Sequence, residues 1–216
     1  MISTIILDFD GVILESVDVK TRAFRSLFSF SPQHVDEIVR FHIDNGGMSR
    51  FDKFRHIFKN ILHEELSEEK FAYLSRSFST LVEDAVLIAP FVEGAVRFLD
   101  AAAPRYPLYI VSATPEDELK RIVKNKGLSS YFIGVFGSPG RKADHIRKIL
   151  AQNQIEPADT IFVGDAINDL RAAQECSVPF IGRIPPGSPD IFTGHESVVH
   201  TIADLDDLAL YLEHRQ

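Results

Sequence analysis

The chain has 216 residues, of which 45% are hydrophobic and 25% charged, a composition typical of an ordinary globular protein. Its formal net charge of −8 argues against a nucleic-acid partner or an anionic membrane surface, because both need a basic face. Cys176 is the only cysteine, which excludes an intrachain disulfide. We find neither a signal peptide nor an apolar run that could span a bilayer, and therefore expect a cytoplasmic protein.

The first predicted element is a short buried strand over residues 4–9, which is apolar on both faces and rich in isoleucine. Residues 16–88 then follow a helical pattern, with apolar side chains every three or four residues and no convincing strand. We predict that this helical insert is a cap domain of its own, and that residues 1–15 and 89–216 form the main domain.

Strands and helices alternate along the rest of the chain. The pattern predicts strands over residues 107–112, 133–136, 160–164 and 178–182, and helices over residues 91–103, 115–126, 142–152, 167–175 and 204–212. Alternation of this kind favours a parallel sheet that is covered by helices on both faces. The predicted fold class is therefore α/β, with a Rossmann-like three-layer core and an inserted all-helical cap.

Polar side chains gather where the predicted strands end, which is where open α/β sheets bind ligands. They comprise four acids, a hydroxyl and a lysine: Asp8, Asp10, Ser112, Lys142, Asp165 and Asp169. Four carboxylates repel one another unless a cation holds them together, and one lysine is not enough. Ligands that are all oxygen indicate a hard cation, for which we predict Mg²⁺, and the set as a whole suits phosphoryl transfer.

Four separate stretches resemble the haloacid dehalogenase-like hydrolase superfamily. They are DFDGV at 8–12, the serine of YIVSAT at 109–114, Lys142 at a helix start, and GDAIND at 164–169. Their order and spacing match the family along the whole chain, in the subgroup similar to phosphoglycolate phosphatases with a helical cap. Val12 occupies a position where threonine is commoner in the family, and valine is an accepted variant there.

The resemblance implies a role for each matching residue. Asp8 would be the nucleophile that forms an aspartyl-phosphate, and Asp10 the general acid and then the general base. On this assignment Asp8 must be ionised and Asp10 must carry a proton. Lys142 would neutralise the nucleophile and the phosphate. Mg²⁺ would be bound by Asp8, Asp165 and the backbone carbonyl of Asp10. 

The resemblance also assigns Ser112, with its neighbour Ala113, to the phosphoryl group, and makes Asp169 a support for the metal or the lysine. Two of these positions have competing interpretations. Ser112 could instead cap the following helix, although Thr114 is better placed to do so. Arg141 begins the same helix as Lys142 and could instead be the cation that neutralises the nucleophile and the phosphate.

The resemblance further implies that the cap contributes a loop over the active site. Gly46-Gly47 interrupts the helical pattern there, and we predict Asn45 and Arg50 as substrate-binding residues. The competing interpretation is an ordinary turn with solvated charges.

We therefore predict a Mg²⁺-dependent phosphatase that hydrolyses a small phosphorylated metabolite, such as a phospho-acid or a sugar phosphate. Asp10 favours this reaction over dehalogenation, since an alkoxide leaving group needs a proton and a halide does not. A phosphomutase with the same nucleophile and a phospho-accepting receiver module are the alternatives. We predict no nucleic-acid or membrane partner, and the sequence does not indicate an oligomeric state.

Overall fold

The structure, a computed structural model, describes residues 2–214 and has a six-stranded parallel sheet with the strand order β3-β2-β1-β4-β5-β6. In chain order the strands are β1 (Thr4–Leu7), β2 (Leu108–Pro115), β3 (Gly134–Ser138), β4 (Thr160–Gly164), β5 (Phe180–Arg183) and β6 (Val198–Ile202). β1 pairs with β2 on one side and with β4 on the other. The first strand is therefore central, and the residues after it lie in the middle of the sheet's carboxyl edge.

Alternate residues of β1 enter two separate apolar cores. Ile5 and Leu7 pack into a core that also contains residues of helices α5 (Ala95–Ala102), α6 (Glu116–Asn125) and α9 (Leu205–Glu213). Ile6 points to the other face, where the core includes residues of α7 (Lys142–Asn153) and α8 (Ile167–Glu175). A strand buried on both faces in this way needs a helical layer on each side. The predicted three-layer α/β fold is confirmed.

The helical insert lies between β1 and β2 in the chain. Its helices are α1 (Val17–Leu27), α2 (Val35–Asp44), α3 (Arg50–His56), which continues as a π-helical turn (Ile57–Leu62), and α4 (Glu68–Ile88). Ser49 and Ser67 begin α3 and α4, and each hydroxyl accepts a hydrogen bond from the backbone N–H three residues later. Buried phenylalanines from several of these helices extend the core on the α5, α6 and α9 side of the sheet.

Two sequence predictions differ from the structure. The edge strand β6 (Val198–Ile202) was not predicted, and its three central residues are all exposed rather than alternating between buried and exposed. The helix predicted from residue 91 begins only at Ala95, because Phe91 forms an antiparallel bridge with Leu14 and Gly94 takes a left-handed conformation before the helix. No helix within residues 2–214 is long and apolar enough to cross a membrane.

Candidate active site

Asp8 lies at the carboxyl end of the central strand, and only 3% of its surface is exposed. Its backbone N–H continues the pairing with β4 by donating to the carbonyl of Val163 at 2.9 Å. Oδ1 accepts from the N–H of Phe9 at 2.7 Å, and Oδ2 lies 2.8 Å from Lys142 Nζ. The backbone of β1 thus fixes this carboxylate beside a buried ammonium group.

Lys142 is the first residue of α7 and connects two of the predicted acids. Its Nζ contacts Asp8 and, at 2.5 Å, Asp169 Oδ1. Although burial disfavours the charged ammonium, Asp169 and Asp8 raise the pKa of Lys142 above its ordinary value. Arg141, the competing cation, lies at the surface and makes an ion pair with Glu175 at 2.8 Å. The structure therefore brings Lys142, and not Arg141, to Asp8.

Asp169 is fully buried, and both of its oxygens have partners in the protein. Oδ1 accepts from Lys142, and Oδ2 accepts from the N–H of Ala166 at 3.2 Å, where α8 begins. Because a charge-assisted hydrogen bond of this length is strong, Asp169 holds the lysine in one orientation. This geometry agrees with the predicted supporting role.

Three carboxylates could hold a cation together. Asp8, Asp165 and Asp169 each offer an oxygen within 4.8 Å of the others. Burial and the neighbouring Asp8 raise the pKa of Asp165 well above its ordinary value, and its carboxylate has no hydrogen-bond donor or ion-pair partner within residues 2–214. A half-buried carboxylate without a donor, beside two others, is a fitting site for a hard cation such as Mg²⁺. The predicted metal ligands were Asp8, Asp165 and the backbone carbonyl of Asp10. The cluster of side-chain carboxylates contains Asp169 as its third member.

Gly11 allows the chain to pass close to Asp165. Its φ of +78° lies in the left-handed region, and an added Cβ would be 2.0 Å from Asp165 Oδ2. The turn after Asp10 therefore needs glycine for two reasons, its conformation and its lack of a side chain. The side chain of Asp10 is not one of the three carboxylates of this cluster.

Asp10 has a different set of partners. Its oxygens lie 2.5 Å from Lys20 Nζ, 2.5 Å from Ser16 Oγ and 2.8 Å from Thr114 Oγ1. Burial alone would raise the pKa of Asp10, but Lys20 and the two hydroxyls outweigh it and lower the pKa to about 2. For Asp8, burial outweighs the effect of Lys142 and raises the pKa to about 7.

The pKa values of the two acids are shifted in opposite directions, and the sequence analysis predicted that the two would differ in protonation. In the protein without substrate or metal, the order of the two pKa values is the reverse of the expected one, because Asp10 ionises more readily than Asp8. Lys20 is the physical reason, and sequence reasoning did not include it. The only signal for it was its place in the first turns of the helix that follows Asp10. Thr114 was considered only as a helix cap, whereas α6 starts after Pro115 and the hydroxyl contacts Asp10.

Ser112 is buried in the second half of β2, which continues three residues beyond the strand end predicted at residue 112. Its Oγ accepts from the N–H of Thr114 at 3.1 Å and lies 3.5 Å from Asp10 Oδ2. The hydroxyl donates its own hydrogen to Asp10, in a contact longer than those that Asp10 makes with Lys20, Ser16 and Thr114. The serine does not cap α6, whose N-cap residue is Pro115.

A cavity of about 130 Å³ separates the strand ends from the helical insert. Asp8, Asp10, Ser112, Ala113 and Asp165 line its floor, whereas its other wall comes from the insert and includes Lys20, His42, Gly46, Gly47, Arg50 and Lys53. The predicted catalytic acids and the insert therefore face one enclosed space.

The two predicted cap residues lie in different places. Arg50 lines the cavity, but its guanidinium is already bound by Glu118 at 2.7 Å and by Ser79 at 2.8 Å. Asn45 is not a lining residue, and its amide donates to the carbonyl of Phe41 at 2.9 Å, at the end of α2. The cavity wall contains two other cationic residues, Lys20 and Lys53, which the sequence did not single out.

A family model described as haloacid dehalogenase-like hydrolase matches residues 2–176. The chain belongs to this family. The predicted family membership and the predicted class of enzyme, a hydrolase with phosphatase relatives, are therefore confirmed. One such relative is a protein named phosphoglycolate phosphatase from Vibrio vulnificus strain YJ016, which is 25% identical over 97% of this chain and 96% of its own length.

Solved structures of low identity share the fold. A hydrolase from Pseudomonas syringae superposes with a TM-score of 0.81 at 19% identity and covers 98% of both chains. A putative hydrolase of the family from Bacillus subtilis, whose structure is described as bound to magnesium, gives a TM-score of 0.71 at 19% identity with the same coverage. At these identities the likeness concerns the fold alone.

Proposed function

We propose that this hydrolase is a Mg²⁺-dependent phosphatase that releases phosphate from a small phosphorylated metabolite through an aspartyl-phosphate at Asp8. The observation that carries the proposal is the separation of two acids only two residues apart. Asp8 contacts Lys142 and adjoins Asp165, whereas Asp10 contacts Lys20 and two hydroxyls. One acid is thus equipped to attack phosphorus and the other to exchange protons.

In the first step an oxygen of Asp8 attacks the phosphorus, and the bond between phosphorus and the leaving oxygen breaks. Asp10 gives its proton to that oxygen, so that the product leaves as an alcohol. Asp10 then takes a proton from water, which attacks the phosphoryl group and breaks its bond to Asp8. Phosphate is released and the carboxylate of Asp8 is restored.

Two groups of the chain would bind the phosphoryl oxygens. Lys142 lies within ion-pair distance of the attacking carboxylate, and Ser112 would turn its hydroxyl hydrogen from Asp10, 3.5 Å away, to a phosphoryl oxygen. Mg²⁺, held by Asp8 and Asp165 with Asp169 close by, would supply positive charge against the phosphoryl oxygens. That charge would also counter the burial that raises the pKa of Asp8.

Asp10 needs a proton for the first step, while Lys20 holds it ionised. A phosphoryl group beside Asp10 adds negative charge that opposes Lys20, and like charges raise the pKa of a carboxyl group. Substrate binding therefore moves Asp10 toward the protonated form that the leaving group requires. 

We further propose that residues 16–88 form a cap domain over the site. Lys20 of the insert contacts Asp10, and the amide of Asn168 donates to the carbonyl of Gly46 at 2.6 Å. These contacts join the insert to the loop after β1 and to the first turn of α8. The cap thus encloses the reacting groups and limits the access of bulk water.

The substitution Asp8→Asn tests the nucleophile, with Asp18→Asn as the matched control on the exposed surface of α1. We expect Asp8→Asn, and also EDTA, to abolish phosphate release from p-nitrophenyl phosphate, and Asp18→Asn to retain it. Undiminished release by Asp8→Asn, or in EDTA, would refute the proposal. Net release of phosphate also separates hydrolysis from the phosphomutase and receiver alternatives, which exchange or retain the phosphoryl group.

A further inference from the structure

Lys53 on α3 is a buried cation in the cavity wall without a carboxylate partner. Only 3% of its surface is exposed, and within residues 2–214 its ammonium makes no ion pair. The other two cationic side chains of the cavity wall are paired, Lys20 with Asp10 and Arg50 with Glu118. An ammonium that is buried without a counter-charge destabilises a fold, so the position of Lys53 calls for an explanation.

His42 shows how this ammonium is held. Lys53 Nζ lies 3.0 Å from His42 Nδ1 and donates to the carbonyl of His42 at 2.9 Å. The imidazole is buried and stacks on Phe24 with ring centroids 4.1 Å apart. Burial and the neighbouring Lys53 and Lys20 lower the pKa of His42 to about 2, so the ring is neutral. Since an ammonium can only donate, Nδ1 is the acceptor and the ring proton lies on Nε2.

This arrangement leaves two donors in the cavity wall. An ammonium has three N–H groups, and two of those of Lys53 are directed at His42. The third N–H of Lys53 and the Nε2–H of His42 have no acceptor within the described residues. Both side chains line the cavity that also contains Asp8 and Asp10. The pair is thus held in place by the protein while it keeps donors for a ligand.

We infer that Lys53 and His42 bind a second anionic group of the substrate, a carboxylate at the leaving-group end, and that the enzyme acts on short phosphorylated carboxylic acids. The inference rests on the proposed function, because it takes the phosphoryl group to lie at Asp8. Asp8 and Lys53 both line the cavity, so a substrate with its phosphoryl group at Asp8 would carry its carboxylate to Lys53 within the same space.

Charge and size both favour this substrate class over a neutral phosphate ester. Burial, with Lys20 as the second cause, lowers the pKa of Lys53 to about 7; the charged ammonium is disfavoured there, and a carboxylate beside it would favour the charged form. A neutral hydroxyl would leave the ammonium without a counter-charge. The cavity, at about 130 Å³, suits a short substrate rather than a nucleotide. Arg50 cannot bind the substrate carboxylate without losing its ion pair with Glu118.

The test compares two substrates of equal length, 2-phosphoglycolate and 2-hydroxyethyl phosphate, in which a hydroxymethyl group replaces the carboxylate. We expect Lys53→Met to lower kcat/KM for the phospho-acid by ~10- to 100-fold, the effect of losing a charge-assisted hydrogen bond, and to lower kcat/KM for the neutral ester much less. Lys59→Met, which removes an exposed lysine from the same helical stretch, is the matched control and should change neither value.

The outcomes separate this inference from the proposed function. If the unmodified enzyme releases phosphate from neither compound nor from p-nitrophenyl phosphate, the proposed function fails. If it hydrolyses them but does not prefer the phospho-acid, or if Lys53→Met lowers both values equally, only the inference fails. Should Lys53→Met fold poorly, Lys53→Gln removes the charge but keeps a donor for His42, and the same loss of discrimination is expected.

Discussion

Replacing Gly11 by alanine gives a direct test of how the site is built. The added Cβ would lie 2.0 Å from Asp165 Oδ2 and 2.6 Å from its Cγ, whereas ordinary contacts begin near 3.4 Å. The carboxylate of Asp165 must therefore move by roughly 1 Å or more, on the scale at which catalytic geometry is lost. The left-handed φ of +78° adds backbone strain of ~1–2 kcal/mol for a residue with a side chain.

Gly127 offers a matched control for the strain. It has a φ of +73°, and an added Cβ would meet nothing within 4 Å. Gly127→Ala and Gly11→Ala should therefore share the strain, which for a chain of this size lowers the melting temperature by roughly 2–8 °C. Any further effect of Gly11→Ala comes from the displaced carboxylate.

Two measurements separate the shared strain from the specific effect. In melting curves with and without Mg²⁺, we expect the stabilisation by Mg²⁺ to persist in Gly127→Ala and to shrink in Gly11→Ala. With p-nitrophenyl phosphate, kcat/KM should fall by ~100-fold in Gly11→Ala, as a 1 Å misplacement can cause, and stay unchanged in Gly127→Ala. If the two variants respond alike to Mg²⁺ and retain equal activity, then Gly11 does not position a metal-binding carboxylate.

Two further predictions concern stability. Arg50→Met should lower the free energy of unfolding, measured in urea, by ~3–5 kcal/mol, because it leaves the carboxylate of Glu118 buried and unpaired; the double variant Arg50→Met/Glu118→Met should recover most of the loss, and no recovery would contradict the explanation. The pKa of Asp8 is raised from 3.8 to about 7 in the folded protein, so between these pH values the unfolded chain has released this proton while the folded protein keeps it. The contribution of Asp8 to the free energy of unfolding is therefore present below pH 3.8 and is lost as the pH rises through 7. The gain in melting temperature on adding Mg²⁺ should therefore be larger at pH 8 than at pH 5, and Asp8→Asn should flatten that difference; an equal gain at both pH values would show that Asp8 does not bind the cation.

The sheet and the acids at its edge could be predicted because both depend on short stretches of sequence. β1 and β4 are apolar runs buried on both faces. Each leads into a polar stretch whose place at the strand end can be predicted without knowledge of the rest of the fold. β6 could not be found in this way. It is an edge strand whose central residues, including His200, are exposed, so it lacks the apolar alternation by which a strand is predicted.

The partners of the acids could not be predicted, because they depend on contacts between distant parts of the chain. Arg50 and Lys53 are three residues apart and both are cations on α3. Arg50 is neutralised by Glu118, which lies 68 residues away in the sequence and on α6. Lys53 is bonded to His42 and lies over the ring of Phe24, and it makes no ion pair within residues 2–214. Local sequence shows two similar charges, and only the packing of α3 against α2 and α6 decides which one is left for a ligand.

The pair of Asp10 and Lys20 connects the position of the insert to the chemistry of the site. The loop after β1 carries the acid, and the chain leads at once into α1, which carries its counter-charge. Lys20 also donates to Thr114 on β2 at 2.7 Å, so α1, the loop and β2 meet at one point. Lys20 is also the charged group that lowers the pKa of Asp10. The placement of a helical insert directly after the first strand therefore puts the counter-charge of Asp10 on the insert and not on the sheet.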